Sequence, residues 1–415
     1  MPIFRCFGKT YHMPTRILLL IFCLSNLACF AQGPNTYNEI TLPELMKKKV
    51  KGDANMVIVD VRSPGEYGDS SRGKSGNIGR IKGAIHLNVQ DLQNDPNAVN
   101  KLDAYKDKDV YLICSHSYRS RAASNILLKN GFTHVNNVRG GMTEWYRRYD
   151  DLAAYRGELY DADIVYKNIS PAELLNDLVN GKTPLLVGIR NNPRFWWDSA
   201  NVLFYQHFPL LRNAVYYDYA DSLKLLLEVQ KNKDRPVVLY NMVNSGAAEL
   251  AEWLTLKGIP HASYLVGGSN LFYEYATNQI NPAKTDRYFT WQNDMRVITP
   301  PLYCRMANDK NVQLIDIRHD SLFNKVNEGV KHNYKHLKSA LNFYSGKGAE
   351  QFEAAFPDKN KEYVFMNEFG SKGIDLAVAL TKKGYKITWL NGGFDRWEWY
   401  MNNVEDFKCN DLLVE

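Results

Sequence analysis

A cysteine and an arginine five positions apart mark the segment of this chain that could do chemistry. Cys114 follows the apolar run Val110–Ile113, and Arg119 and Ser120 come after a short loop. The thiolate is the nucleophilic form of cysteine, and the unpaired backbone N–H groups at a helix N-terminus lower its pKa. We therefore predict that Cys114 ends a strand, that a helix begins about five residues later, and that Cys114 is a catalytic nucleophile.

The loop after Cys114 has the composition of an anion-binding site. Successive loop amides can form a concave anion site, Arg119 adds a fixed positive charge, and serine is a common helix N-cap. Such a loop could stabilise a thiolate, a cysteine persulfide or a bound oxyanion. We assign Arg119 to catalysis beside Cys114 and Ser120 to the N-cap. The predicted binding loop consists of Ser115, His116, Ser117, Tyr118 and Ser120.

Three copies of one unit supply the frame for this loop. In each copy an apolar run ends at an arginine, and Arg62, Arg190 and Arg318 stand 128 residues apart. A second apolar run, a loop, a helical segment ending at glycine, and a Gly-Gly pair before aromatic residues follow in each copy. A unit of this length is a whole domain, because solenoid repeats run to roughly 20–50 residues. Short apolar strands alternating with amphipathic helices predict an α/β fold, each domain a parallel sheet with helices on both faces.

The repeat and the composition divide the chain into five segments. We predict a targeting segment over 1–31, domains over 35–152, 160–280 and 288–403, and a C-terminal tail over 404–415. The net charge of +6 is small for 415 residues, and the lysines are dispersed among acidic residues. Nucleic-acid binding needs a clustered basic stripe, so we predict no nucleic-acid partner.

The N-terminus has the pattern of a secretory signal. Basic residues precede the apolar run Ile17–Leu24, and small residues lead to a cleavage point at Ala31-Gln32. We predict an exported protein, periplasmic or secreted, with no transmembrane helix in the mature chain. A lipoprotein anchored through Cys29 is the less favoured alternative, because Asn26 stands where such processing prefers an apolar residue.

Three cysteines remain after the predicted signal: Cys114, Cys304 and Cys409. An odd number in an exported protein implies at least one free thiol. Either Cys304 and Cys409 pair and leave Cys114 free, or all three are unpaired. Sequence alone leaves both alternatives open, because a disulfide depends on separation in space.

The motifs of the first unit resemble those of the rhodanese family. Asp60–Tyr67 resembles the family's Asp-x-Arg-x-x-x-Glu-Tyr segment, and Arg80–Ile85 resembles its His-Ile-x-Gly-Ala segment with arginine in place of histidine. Cys114–Ser120 resembles the active loop Cys-x-x-x-x-Arg-Ser, and Gly140–Trp145 resembles the closing Gly-Gly-x-x-x-Trp. Units two and three share the frame with weaker motifs. The resemblance implies three tandem rhodanese-like domains, of which the first is active.

The resemblance also implies sulfur transfer in two steps. Cys114 attacks the outer sulfur of a donor anion such as thiosulfate and becomes a persulfide, and a thiophilic acceptor such as cyanide or a thiol takes that sulfur. It implies neither a metal nor an organic cofactor. Four residues separate Cys114 from Arg119, as in sulfurtransferases, whereas phosphatases of the same fold have one more. Ser115 and Ser117 replace a basic residue and a glycine that are common in the family, so the donor stays open.

Asp60 and Arg62 are candidate supports of the site, and with Glu66 they could line its mouth. The favoured interpretation of Arg62 is a structural ion pair with an acidic neighbour. Two histidines of the third unit, His332 and His336, have a spacing seen in metal sites. Because His336 falls at the family position that Arg80 occupies in the first unit, we predict no metal site.

Units two and three lack the chemistry of unit one. Tyr240–Ser245 and Met366–Ser371 stand where the active loop should be, and neither segment contains a cysteine or the loop arginine. We predict that these units are degenerate and either stabilise unit one or recognise a protein partner. For the whole chain the favoured function is an exported sulfurtransferase. The alternatives are a non-enzymatic binding module of tandem rhodanese-like domains and, less favoured, a phosphatase or oxyanion reductase.

Overall fold

The computed structural model describes residues 36–190, 207–240, 246–260, 262–279, 287–291, 294–324, 336–368 and 371–403, together with 407, 409 and 412–414. The predicted targeting segment and most of the predicted tail lie outside these residues, as does His332. Three five-stranded parallel sheets flanked by helices make up the described chain. This confirms the predicted α/β fold.

The elements alternate between strand and helix in each unit. Those of unit one are β1 (Asn38–Thr41), α1 (Leu42–Val50), β2 (Met56–Asp60), α2 (Pro64–Tyr67), β3 (Arg80–Ile81), β4 (Ile85–His86), α3 (Val89–Asn94), β5 (Asp109–Ile113), α4 (Tyr118–Lys129), β6 (Val135–Arg139), α5 (Glu144–Arg147), α6 (Tyr149–Leu159) and β7 (Tyr160–Asp161). Those of unit two are β8 (Lys167–Ile169), α7 (Pro171–Val179), β9 (Leu185–Arg190), β10 (Leu210–Leu211), β11 (Val215–Asp218), α8 (Ser222–Lys231), β12 (Val237–Tyr240), α9 (Ala247–Leu256), β13 (Ala262–Leu265), α10 (Gly268–Gln279) and β14 (Phe289–Thr290). Those of unit three are β15 (Arg296–Ile298), α11 (Pro300–Met306), β16 (Val312–Asp316), α12 (Asp320–Asn324), β17 (His336–Leu337), β18 (Leu341–Asn342), α13 (Ala349–Ala355), β19 (Glu362–Met366), α14 (Ile374–Lys382), β20 (Lys386–Leu390), α15 (Gly393–Asn403) and β21 (Leu413–Val414).

The three sheets share one strand order. It is β1-β6-β5-β2-β4 in unit one, β8-β13-β12-β9-β11 in unit two and β15-β20-β19-β16-β18 in unit three, with parallel neighbours throughout. The third strand in this order lies at the centre of each sheet and leads into the loop of interest. Its carboxyl end is therefore surrounded by the neighbouring strand ends, where open α/β sheets bind their ligands.

A short antiparallel ribbon accompanies each sheet, formed by β3 with β7, β10 with β14, and β17 with β21. The second strand of each ribbon lies past the predicted end of its own domain. Strands β7 and β14 fall on the first residues predicted for the next domain, and β21 falls in the predicted tail. A disulfide between Cys304 and Cys409 also holds this tail, with the two Cα atoms 6.0 Å apart. Of the two alternatives for the cysteines, the structure has the pairing, and Cys114 is the free cysteine of the described residues.

Polar and apolar residues do not alternate along β5, because apolar clusters cover both faces of its sheet. Tyr111 and Ile113 face one apolar cluster, while Leu112 and Cys114 face another on the opposite side of the sheet. A parallel sheet covered on both faces buries every residue of its central strands. The first of these clusters continues into unit two through residues such as Val187, so units one and two share one core. No helix among the described residues combines the length and the apolar character needed to cross a bilayer.

Candidate active site

Cys114 lies directly after the central strand β5, at the carboxyl edge of the first sheet. Its side chain is 1% exposed and packs in the cluster that includes Ala123 and Leu127 of α4. Helix α4 begins at Tyr118, four residues after Cys114, slightly earlier than predicted. The sulfur therefore lies next to the first turn of a helix of 12 residues.

The entry into α4 is a tight turn at Ser117. This residue has a φ of 75°, in the left-handed region that favours glycine, and it precedes the helix directly. Its hydroxyl accepts a hydrogen bond from the Gly140 N–H at 2.6 Å and lies 3.2 Å from the Val138 carbonyl oxygen. These contacts hold a conformation that a non-glycine residue adopts at a cost of about 1 kcal/mol.

The prediction that Ser120 caps the helix is wrong. Because the turn at Ser117 starts α4 earlier, Ser120 lies inside the first turn and is fully buried. Its Oγ is 2.6 Å from Asn137 Oδ1 and 3.5 Å from Cys114 Sγ. The same Oγ lies 3.1 Å from the Ser117 carbonyl oxygen. A hydroxyl has one proton to donate, so Ser120 can donate to that carbonyl, to the Asn137 amide or to a thiolate on Cys114. Asn137 therefore contacts the serine that reaches the sulfur, a role for which the sequence offers no local signal.

Arg119 does not face an empty anion site. Its Nη1 lies 2.5 Å from Glu66 Oε2, and its Nη2 lies 2.7 Å from Glu66 Oε1. The Nη2 also donates to Ser115 Oγ at 2.9 Å, and Ser115 Oγ donates to Glu66 Oε1 at 2.9 Å. We call these three residues, Glu66, Ser115 and Arg119, the clamp. The clamp neutralises the charge of Arg119 and ties the loop after Cys114 to helix α2.

Glu66 enters the clamp as a carboxylate. Burial raises the pKa of Glu66, but the hydrogen bonds from Arg119 and Ser63 outweigh that effect and lower the pKa to about 2. Ser63 and Glu66 also form a capping box at the start of α2. The Ser-x-x-Glu spacing of a capping box is visible in the sequence. The partnership with Arg119, 53 residues away, has no such local signal.

Arg62 forms a buried ion pair with an acidic neighbour, as the sequence favoured, and the structure identifies that neighbour as Asp60. Arg62 Nη2 lies 2.7 Å from Asp60 Oδ2, and both side chains are completely buried. The same nitrogen donates to the Gly79 carbonyl at 2.7 Å. These contacts join the end of β2 to the segment before β3. They support the frame around the site and do not reach the sulfur.

The two remaining loop residues lie at the rim. The side chain of Tyr118 is 77% exposed, and the exposed His116 has its Nε2 3.1 Å from Thr143 Oγ1. Desolvation and the positive charges of Arg147 and Arg119 lower the pKa of His116. A neutral His116 at neutral pH does not replace the basic residue missing at Ser115.

The Gly-Gly pair leads into a turn whose N–H groups bind the backbone of the loop after Cys114. The Met142 N–H donates to the Cys114 carbonyl at 2.7 Å, and the Thr143 N–H donates to the Ser115 carbonyl at 3.2 Å. A Cβ atom at Gly141 would lie 2.1 Å from the Cys114 carbonyl oxygen, and Gly141 has a φ of 63°. Only glycine fits there. The Gly-Gly-x-x-x-Trp motif is therefore a backbone support for the loop.

The backbone supplies the uncommitted donors of this site. Among the described residues, no acceptor is found for the N–H groups of Ser115, His116 and Ser117. With the first turn of α4 they can meet negative charge on the sulfur or on a bound anion. No cluster of three or more His, Cys, Asp or Glu side chains suited to a metal ion occurs in the described ranges. The arrangement suits thiolate chemistry with backbone stabilisation of charge.

One cavity formed by described residues lies away from Cys114. It has a volume of about 770 Å³ and is lined by residues of all three units, among them Arg147, Glu274 and Trp399, and by the Cys304–Cys409 disulfide. Cys114 does not line it. Because Cys114 has the reactive group and the cavity has none of the loop residues, we place the candidate site at Cys114.

The other units keep the frame without the nucleophile. In unit three, Asp316 is paired in register with Met366, as Asp60 is with Ile113, so Asn367 occupies the position of Cys114. In unit two, Gly188 faces Tyr240 at the position of Asp60, and the loop 241–245 lies outside the described residues. His336, one of the two histidines weighed above as metal ligands, stacks on Phe323 with the ring centroids 4.0 Å apart.

Comparisons with known proteins agree with this frame. The family model described as "Rhodanese-like domain" matches residues 42–148 and 299–399, which together make up half of the chain. The putative sulfur carrier protein YrkF of Bacillus subtilis is 30% identical over 115 residues, which are 28% of this chain and 54% of that protein. The tRNA uridine(34) hydroxylase of Cytophaga hutchinsonii is 29% identical over 98 residues, which are 24% of this chain and 28% of that protein.

The chain thus spans about half the length of the first of these relatives and less of the second. Among solved structures, the wild-type structure of EanB is 16% identical with a TM-score of 0.26, over 89% of this chain and 98% of that one. The shared strand order, the placement of the motifs and the match of the family model over half the sequence lead to one conclusion: this chain belongs to the rhodanese-like domain family.

Proposed function

We propose that this protein is an exported sulfurtransferase with one active unit, which carries sulfane sulfur as a persulfide on Cys114. The observation that carries the proposal is the position of the free Cys114 at the end of the central strand, next to the start of α4. Beside it are loop N–H groups for which the described residues supply no acceptor. These groups stabilise a thiolate and equally a persulfide anion.

The reaction balances without a cofactor. The Cys114 thiolate attacks the outer sulfur of a donor such as thiosulfate, the donor's S–S bond breaks, and sulfite leaves with the electron pair. The acceptor, a thiol or cyanide, then attacks the outer sulfur of the persulfide, and the Cys114 thiolate leaves. Ser120 can donate its hydroxyl proton to Cys114 Sγ whenever that sulfur is anionic, because it lies 3.5 Å away.

The clamp bears on the choice of donor. With Arg119 neutralised by Glu66 and no basic side chain at Ser115, the charge of a donor anion is met mainly by backbone N–H groups. Such a site favours a small donor with a localised negative charge, since Cys114 is 1% exposed. Thiosulfate and low-molecular-weight persulfides both fit this description, and we propose them as donors.

Export is proposed on two grounds. Residues 1–31 have the composition of a secretory signal, and disulfides such as Cys304–Cys409 persist in oxidising compartments. Fractionation of the producing cell and N-terminal sequencing of the mature protein test this. A mature chain starting near Gln32 supports release, and one starting at Cys29 with attached lipid would replace it with membrane anchoring.

Intact mass spectrometry tests the persulfide directly. The mature protein is incubated with thiosulfate, or with a low-molecular-weight persulfide, and is compared with Cys114→Ser. We expect one added sulfur atom in the wild type, removed by a thiol or cyanide, and none in the variant. Absence of the adduct with every donor would favour a non-enzymatic binding module. Hydrolysis of an aryl phosphate that Cys114→Ser abolishes would favour a phosphatase.

A further inference from the structure

Unit two contacts unit one through a segment that packs against the Glu66 side chain of the clamp. We call Lys74–Gly79 the docking segment; it begins with a short 3₁₀ helix over Lys74–Gly76. Lys74 Nζ lies 2.9 Å from Glu252 Oε1, and the Lys74 N–H donates to Glu249 Oε1 at 3.3 Å. Both glutamates belong to α9 of unit two. The segment thus rests on a helix of a unit that has no nucleophile of its own.

Two hydrogen bonds to main-chain carbonyls complete this contact. The Tyr166 hydroxyl donates to the Lys74 carbonyl at 3.0 Å, and Asn168 Nδ2 donates to the Asn77 carbonyl at 2.8 Å. Tyr166, Asn168 and Asn77 are all buried. Hydrogen bonds to main-chain carbonyls fix the path of the backbone whatever side chains the segment carries, because every residue has a carbonyl group.

The opposite side of the docking segment lies against the clamp. A Cβ atom at Gly76 would lie 3.2 Å from Glu66 Cγ, so the backbone there is in contact with the Glu66 side chain. At the end of the segment, the Gly79 carbonyl accepts from Arg62. A continuous series of contacts therefore leads from unit two through the docking segment to Glu66, and from Glu66 to Arg119 and the Cys114 loop.

We propose that Tyr166 and Asn168 of unit two are positioning residues for the Cys114 loop, and that they act through the docking segment and Glu66. The degenerate unit would then be part of the active site's support. Release of the two carbonyl bonds allows the segment to move away from Glu66, which loosens the clamp and makes Cys114 reachable. The proposal deepens the proposed function, since it concerns the same cysteine, but its test does not need sulfur transfer.

The rate at which iodoacetamide alkylates Cys114 reports on this opening, because the buried sulfur reacts only when its loop opens. In Tyr166→Phe/Asn168→Ala we expect alkylation about two- to tenfold faster than in the wild type, given the strength of single hydrogen bonds. The matched control is Tyr273→Phe/Asn278→Ala. It removes a tyrosine and an asparagine contact from the other side of unit two, to Val297 and Tyr400 of unit three, and should leave the rate unchanged.

A double-mutant cycle separates positioning from general stabilisation. If unit two acts through Glu66, the effect of Tyr166→Phe/Asn168→Ala falls below about twofold in a Glu66→Gln background, because linked residues are not additive. Equal rates in the unit two variant and the control would overturn the proposal, and so would an undiminished effect in the Glu66→Gln background. Tyr166→Phe alone, which keeps the aromatic ring, gives the same test should the double variant fold poorly.

The outcomes also separate this proposal from the sulfurtransferase one. Faster alkylation in the unit two variant with no persulfide from any donor would support positioning and remove sulfur transfer. A persulfide that forms in the wild type, with alkylation rates that do not respond to the unit two variant, would do the reverse. If both proposals hold, the variant also shows a lower kcat for sulfur transfer with less change in KM, because the loop geometry and not donor capture is altered.

Discussion

The loops after the central strands of units one and three share a frame and differ in their contents. Both follow a buried Asp-Arg pair, Asp60–Arg62 in one and Asp316–Arg318 in the other. In both, the turn after the Gly-Gly pair donates to the first loop carbonyl, through Met142 to Cys114 and through Phe394 to Asn367. These contacts use backbone groups and a local ion pair, so the frame survives without the cysteine.

The differences lie in the nucleophile, the length of the loop and the carboxylate. Ser117 precedes α4 three residues after Cys114, whereas Gly373 precedes α14 six residues after Asn367. In unit three the loop carboxylate, Glu368, lies 3.4 Å from Arg318, which Asp316 already binds. A short loop held by its own clamp thus distinguishes the unit that has the cysteine from the unit that has asparagine in its place.

Exchange of the nucleophile should have the largest effect. Cys114→Asn gives unit one the residue of unit three, and we expect the sulfur-transfer rate to fall by at least about 10³-fold with little change in circular dichroism. The reverse variant, Asn367→Cys, should gain no persulfide, because its loop is longer and lacks the clamp. A persulfide on that cysteine after donor treatment would show that the loop geometry is unimportant.

The second glycine of the Gly-Gly pair should contribute equally to the stability of units one and three. Gly141→Ala places a methyl group against the Cys114 carbonyl at a φ of 63°, and Gly393→Ala does the same against Asn367 at a φ of 54°. We expect each to cost about 2–4 kcal/mol, measured by urea unfolding. Only Gly141→Ala should also reduce persulfide formation. Loss of activity in both variants would mean that unit three contributes directly to the chemistry.

The clamp should give the two units different pH dependence. The folded-state pKa of Glu66 is lowered from 4.5 to about 2, so its ionised form stabilises the fold above pH 4.5, and this contribution is lost as the pH falls from 4.5 to about 2. Glu66→Gln should therefore cost about 2 kcal/mol near pH 6, and the difference from the wild type should disappear at the acidic end. Urea midpoints at several pH values measure this.

The corresponding change in unit three is the control. Glu368→Gln should have a smaller effect at every pH, because Asp316 continues to hold Arg318. An equal loss from both substitutions would contradict the assignment of a separate clamp to unit one.

The smallest effect is expected at the residue before the helix. Ser117→Gly relieves a φ of 75° but loses the contacts to Gly140 and Val138, so we expect a net change within about 1 kcal/mol. Gly373→Ser should cost more, about 1–3 kcal/mol, because its Cβ would lie 2.6 Å from Ile317 Cδ1. Thermal unfolding of both variants checks the order. A larger loss from Ser117→Gly would show that the serine hydroxyl outweighs the backbone strain.

The sequence by itself determined the features that depend on short separations along the chain. The 128-residue spacing, the strand before Cys114 and the α/β alternation predicted three units of one fold, because strand and helix periodicity is local. The Asp60–Arg62 pair was also within reach, since its two residues are two positions apart. The helix start was predicted too late, because the turn at Ser117 adopts a conformation that serine rarely takes.

Only the tertiary structure decided which distant residues meet. Glu66 and Arg119 are 53 residues apart, Ser120 and Asn137 are 17 apart, and Cys304 and Cys409 are 105 apart. Each pair forms because crossovers bring separate strand ends, helices and tail segments together, and no local pattern encodes that meeting. The sequence therefore predicted Cys114 as the nucleophile. The fold decided that Arg119 pairs with Glu66 and that unit two contacts the segment packed beside Glu66.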